Sequence, residues 1–181
     1  MTDYNITILD ISDKELIELQ DDIDKFTNLE KLYCCNNKLT SLDNLPRTLE
    51  VLNCYSNYIT SLDNLPPTLV FLDCCFNEIT SLDNLPHNLE KLYCGNNQLT
   101  SLDNLPPKLS ILYCKCNKIT SLDNLPPNLK KLYCDNNNLT SLDNLPPNLE
   151  NLYCSGNPLK YDFVPTLKNI RNYNSSRILS S

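Results

Sequence analysis

Leu129-Lys-Lys-Leu-Tyr-Cys-Asp-Asn-Asn-Asn-Leu-Thr-Ser-Leu-Asp-Asn-Leu-Pro-Pro-Asn148 is one unit of a pattern that recurs every 20 residues, without insertion, from Leu29 to Asn148. A further, truncated copy opens at Leu149. A unit this short cannot enclose a core alone. Stacked copies can, because each buries the apolar face of its neighbour, so the chain reads as a solenoid. The expected organisation is an N-terminal cap over residues 1–28, seven repeats over 29–159, and a C-terminal cap and tail over 160–181.

Spacing within the unit gives the shape of one coil. Around Leu32-Tyr33-Cys34 the alternation predicts a short strand with Leu32 and Cys34 turned inward and Lys31 and Tyr33 outward. Leu29, Leu39, Leu42 and Leu45 complete the inward set. Stacked coils predict a parallel sheet with strands about 4.8 Å apart, roughly 30 Å wide for seven coils. Asn37, Asn57, Asn77, Asn97, Asn117, Asn137 and Asn157 recur where each strand ends, and an amide there can serve backbone groups as both donor and acceptor. In the second half, Thr-Ser-Leu-Asp-Asn suits a tight turn. Doubled prolines such as Pro66-Pro67 favour an extended segment, so a convex side without full helices is expected.

Each copy reads Leu-x-x-Leu-x-Cys-x-x-Asn-x-(Leu/Ile), which resembles the leucine-rich repeat family with cysteine at the sixth position. The Thr-Ser-Leu-Asp-Asn-Leu-Pro half is similar to the short 20-residue subclass of bacterial effectors carrying Leu-Pro-x-Leu-Pro, with Asp where the first Pro would stand. The resemblance implies a leucine-rich repeat solenoid with a parallel sheet on its concave face and structural asparagines. Effectors of that kind carry a separate ubiquitin-ligase domain, for which residues beyond 160 leave no room. The alanine-free, Asn- and Tyr-rich composition also looks like that of a giant amoebal virus leucine-rich repeat protein.

The flanks differ from the repeat. Tyr4 to Ile11 fits a strand, and Ser12-Asp-Lys-Glu15 matches a capping box ahead of Leu16, Ile17, Leu19, Ile23 and Phe26 at helical spacing. An N-terminal cap with a short helix is therefore expected. At the other end, Phe163, Val164, Leu167, Ile170 and Tyr173 predict a cap that turns helical near Pro165, and residues 174–181 predict a frayed tail.

The formal net charge of -7 makes nucleic acid and anionic membrane poor partners for the surface as a whole. No long apolar run predicts a membrane span, and Met1-Thr-Asp-Tyr-Asn does not read as a secretory signal. Seven of the ten cysteines fall at one inward position, an odd number that cannot pair within its row. They read as reduced thiols acting as small hydrophobes, which points to a cytoplasmic location, in the producing cell or a host.

No catalytic set emerges, and the chain reads as a non-enzyme without cofactor. His87, the only histidine, replaces a convex proline. Cys34-Cys35, Cys74-Cys75 and Cys114-Lys-Cys116 lack zinc spacing. The row Asp43, Asp63, Asp83, Asp103, Asp123 and Asp143 reads as turn caps in preference to a calcium site. What varies between copies is the outward strand face. Val51, Tyr55, Tyr58, Val70, Phe71 and Phe76 predict an apolar, aromatic patch rimmed by Glu50, Asp73 and Glu78, suited to a protein partner. The tyrosine row Tyr93, Tyr113, Tyr133 and Tyr153 reads as structural stacking, and Lys115, Lys118, Lys130 and Lys131 as a solvated face. The leading reading is a non-catalytic protein–protein interaction module with its partner on the concave sheet. The alternative is a structural protein that self-assembles through its solenoid ends. Ice binding through the threonine row ranks last, since that row sits at a turn.

Overall fold

The structure, a computed structural model, describes residues 3–178, with side chains through Ser176. Eight three-residue strands stack in chain order into one parallel sheet. They are β1 (Ile8–Asp10), β2 (Lys31–Tyr33), β3 (Val51–Asn53), β4 (Phe71–Asp73), β5 (Lys91–Tyr93), β6 (Ile111–Tyr113), β7 (Lys131–Tyr133) and β8 (Asn151–Tyr153). Register follows the repeat: Leu32 pairs with Leu52, Leu52 with Leu72, and so to Leu152. The convex side is built of turns. This is the leucine-rich repeat architecture, with β1 adding one strand to the seven that the repeats supply.

The core is the inward set repeated. Leu29, Leu32, Cys34, Leu39 and Leu42 are buried in the first coil, and their equivalents stack on them coil after coil. The cysteine row fits because a thiol is small enough to sit directly behind the sheet. Its Sγ–H also points at a strand carbonyl of the next coil, as in Cys54 to Asp73 O and Cys74 to Tyr93 O, both 3.3 Å. Burial holds these thiols protonated, and Cys34 is pushed up to about 12. All ten cysteines are free.

The asparagine row does what a strand end requires. Asn97 Nδ2 donates to the carbonyls of Cys94 in its own coil and Cys74 in the preceding one, at 3.1 and 3.0 Å. Its Oδ1 accepts the Ile79 N–H at 3.0 Å. One amide thus satisfies three backbone groups of two coils where the sheet ladder stops. The arrangement repeats from Asn57 to Asn157.

Asn37 has no repeat before it, and the N-terminal cap takes that place. Its amide donates to Ile11 O at 2.9 Å and accepts from Lys14 N and Leu16 N. This explains why the capping box fails. Ser12 Oγ accepts from Cys35 N at 3.1 Å instead of opening a helix, and Asp13 and Glu15 take left-handed backbone. The cap's short helix is a single 3-10 turn at Ile23–Lys25, with Ile23 and Phe26 buried and Tyr4 edge-on to Phe26.

On the convex side the prolines close turns instead of running extended. Leu69 N donates to Pro66 O at 3.1 Å, and the same bond recurs from Pro46 to Pro146. The second residue of that turn is where proline is favoured but not required, which accommodates Arg47 and exposed His87. Asp63, Asp83, Asp103 and Asp123 cap their own turns and bridge to the next. Asp63 accepts from the Ser61 hydroxyl and from Asn84 Nδ2 of the next coil, and Asp83 and Asp123 repeat this. These bonds, the serine's first, hold the three carboxyls below their ordinary range. Capping and bridging thus occupy these four carboxylates.

The last coil is closed by α1 (Leu167–Ile178), which buries Ile170 against the core. Arg171 donates to Pro147 O and Leu149 O, where a further coil would bond. The helix runs through residues 174–178, where the sequence predicted fraying; residues 179–181 of that tail lie outside the described residues.

Asn97→Leu removes the partner of three buried backbone groups. The expected loss is about 3 kcal/mol or more, at about 1–3 kcal/mol per orphaned group. Urea denaturation measures it, and a midpoint equal to wild type contradicts the account.

Candidate binding face

The concave sheet face is where the coils differ. Outward residues of equivalent positions lie side by side, so each column reads across the sheet. Tyr93, Tyr113, Tyr133 and Tyr153 stack with ring centroids 5.8, 5.6 and 4.6 Å apart. Phe71 packs edge-on against Tyr93 at 5.3 Å and carries the aromatic run into β4. Beyond it the column changes to Asp73 and Asn53. Downstream of the strands, Tyr55 and Phe76 form a second ring pair at 5.0 Å.

These rings border a depression of about 600 Å³ lined by Tyr55, Asp73, Phe76, Tyr93, Ile111 and Tyr113, with Cys75 at its floor and Lys115, Lys131 and Tyr133 at its far side. Gly95 makes room for one of these rings: a Cβ there would lie 2.8 Å from the Tyr113 ring. Convex hollows of about 800 and 880 Å³ are larger, but they are lined by the recurring Asp-Asn-Leu-Pro turn residues and contain no Phe or Tyr ring.

Of the six residues singled out in the sequence, Tyr55 and Phe76 line the depression and Phe71 backs it through Tyr93. Val51 stands beside Phe71 in register, half-buried. Val70 precedes β4, and Tyr58, 53% exposed, lies past the strand; neither lines the depression. Asp73, Tyr93, Tyr113 and Lys115 line it although the sequence placed them at a rim, in a structural row and on a solvated face. The signal for Asp73 was present: it interrupts a column of tyrosines.

Two of these residues are poor choices for the positions they hold. The eighth position of every coil is left-handed: Asn36, Ser56, Phe76, Asn96, Cys116, Asn136 and Gly156 all have φ between 52° and 70°. Asn and Gly tolerate that region, and a bulky side chain does not. Phe76 nevertheless holds φ 56° with its ring 47% exposed. At the fifth position the local bond needs only an acceptor oxygen. Asn53 takes the Tyr55 N–H at 3.1 Å, and Asp73 takes the Cys75 N–H at the same distance. Asp73 adds a half-buried charge that the turn does not use. Burial pushes its carboxyl up despite the Cys75 bonds. Burial, and then the Asp73 charge, raise Cys75, to about 12, and Tyr93.

Lys115 stays over the Tyr113 ring, 5.0 Å from its centroid. Among the described residues no group of three or more His, Cys, Asp or Glu side chains is placed to hold a metal.

A family model for leucine rich repeats (2 copies) matches residues 27–67, 67–107 and 87–127. The chain belongs to the leucine-rich repeat family. Among solved structures, this leucine-rich repeat chain is similar to YopM, a leucine-rich effector protein from Yersinia pestis, at 36% identity and TM-score 0.81 over 90% of this chain and 46% of YopM. The leucine-rich repeat domain of a Shigella effector gives 29% identity and TM-score 0.78, covering 98% of this chain and 77% of that one. The functional domain of InlJ from Listeria monocytogenes, which includes a cysteine ladder, gives 34% identity and TM-score 0.68 over 88% of this chain and 42% of that one. The chain thus spans less than half the length of YopM and InlJ. No curated protein matches it. The likeness to a giant-virus protein, expected from composition, is corrected: these similar structures are of bacterial proteins.

Phe76→Asn relieves about 1–2 kcal/mol of left-handed strain and forfeits about 0.5–1.5 kcal/mol of ring pairing with Tyr55. Because the ring is half exposed, the expected outcome is unchanged or slightly raised stability in urea. A loss above about 1 kcal/mol would show that the ring serves the fold. Asp73→Asn removes a carboxyl whose folded pKa is raised. That carboxyl favours the fold below its ordinary value of 3.8 and disfavours it as pH rises through the folded pKa. The variant is therefore expected to be the more stable at pH 7, with the advantage vanishing in acid.

Proposed function

We propose that the chain is a non-catalytic protein-binding module that seats a protein partner on its concave face, around the depression between Tyr55 and Tyr133. The observation that carries this reading is Phe76, an exposed aromatic ring held in left-handed backbone where the other coils place the smaller Asn, Ser, Cys or Gly. Strain of this kind persists where a side chain serves something other than the fold. Exposed aromatic rings around a shallow hollow with charged borders are the chemistry of protein interfaces. The likeness to leucine-rich effector proteins supports a protein-directed role. Among the proposed contacts, Tyr55, Phe71 and Phe76 act first, and Val51, Val70 and Tyr58 extend the patch. A reducing site of action, the cytoplasm of the producing cell or a host, fits a core row of protonated thiols.

The test is affinity capture from eukaryotic and bacterial lysates with wild type and Phe76→Asn/Phe71→Asp, both verified as folded. A partner retained by wild type and lost by the variant is the expected outcome. A partner kept by both moves the site off this face. No partner for either, with a mass that rises with concentration in light scattering, favours self-assembly through the solenoid ends.

A further inference from the structure

The Asp73 carboxylate is the one feature of the concave face that both the fold and its neighbours leave unanswered. It is half-buried, and it accepts from the Cys75 N–H at 3.1 Å, a neutral donor. Among the described residues the one ion pair joins Lys38 to Glu15, so no described lysine or arginine neutralises it. Of the two lysines that border the depression, Lys115 and Lys131, Lys115 faces the Tyr113 ring. Asn53 makes the same turn bond one coil earlier without a charge, so the turn gains nothing from a carboxylate here.

The surroundings of that carboxylate are aromatic on two sides. Tyr93 stands in register with Asp73 on β5 and pairs with Phe71 at 5.3 Å, and Tyr55 and Phe76 pair at 5.0 Å past the strand ends. A carboxylate set between π faces attracts a cation more strongly than either does alone. Of the two common cationic side chains, a guanidinium suits this setting better. It is planar, sheds water more easily than an ammonium, stacks on rings, and presents paired donors to a carboxylate.

We infer that Asp73, between the Phe71–Tyr93 and Tyr55–Phe76 ring pairs, is the recognition point for an arginine side chain of the protein partner. This rests on the concave-face reading above and gives it a chemistry. The partner's guanidinium ion-pairs with the free side of the Asp73 carboxylate and stacks against the adjacent rings. The charge that destabilises the unbound solenoid is thereby neutralised only in the complex. Such a contact discriminates, because a partner without the cation leaves a half-buried carboxylate desolvated and unpaired.

The experiment selects a random peptide display library on the full chain and measures the selected peptides on wild type, Phe76→Asn and Asp73→Asn. The expected result is peptides that need Phe76, share an arginine, and bind Asp73→Asn at least about tenfold more weakly. Replacing that arginine with citrulline in the peptide should cost a similar factor on wild type and little on Asp73→Asn. Peptides that need Phe76 but share no arginine, take lysine equally well, or bind Asp73→Asn undiminished overturn the arginine assignment and leave the concave-face reading standing. Peptides indifferent to Phe76, or none at all, overturn both.

Discussion

The solenoid depends on one side-chain amide per coil. Where each strand ends, the chain must leave the sheet, and its carbonyls and N–H groups face the interior with no ladder to join. Asn57, Asn77 and their equivalents meet that need by reaching two carbonyls and one N–H across a coil boundary. Burying those groups without a partner would cost more than the packing of a leucine contributes to one coil. The leucines and cysteines supply the driving force, and the asparagines make the geometry tolerable. The caps obey the same constraint. The N-terminal segment offers Ile11 O, Lys14 N and Leu16 N to Asn37, and Arg171 meets the carbonyls exposed at the far end.

A repeated scaffold also carries its own controls. Any position can be compared with equivalents in the same sheet, under nearly the same backbone geometry. By that comparison Asp73 and Phe76 are poor choices for folding, because Asn53 and Asn96 meet the same local demands without charge or strain. The two sit three residues apart in one coil and border one depression. A single misfit invites many explanations, whereas two at one hollow point to a shared purpose outside the fold.

The repeat and its inward positions were legible in the sequence because a period of 20 residues leaves little freedom: spacing alone fixes Leu32, Cys34 and Asn37 as inward. The N-terminal cap was misread in detail because Ser12-Asp-Lys-Glu15 satisfies a local helix rule while the actual demand on that segment is remote, imposed by Asn37 and Cys35 some 21–26 residues on. The convex prolines were read as extended because proline limits its own φ but leaves ψ open, and the turn bond from Leu69 N is what decides it. At the binding face, Phe71 and Phe76 stood out by type. Asp73 shows in the sequence only as a break in the tyrosine column; its burial, and the lack of a counter-charge among the described residues, are not displayed by a linear pattern.

The asparagine ladder touches only main-chain atoms of the adjacent coil, and this has a genetic consequence. The interior of a coil does not read the identity of its neighbour's outward side chains, so units can be duplicated, lost or exchanged in whole multiples of 20 residues and the interior still closes. Near-identical repeats invite such slippage during copying. The scaffold is thus buffered against it, while the outer face is not: a unit gained between the second and third coils would separate Tyr55 from Phe76 and dissolve the hollow without weakening the core. Length is a variable that this architecture can explore freely, and each change of length is a change of surface.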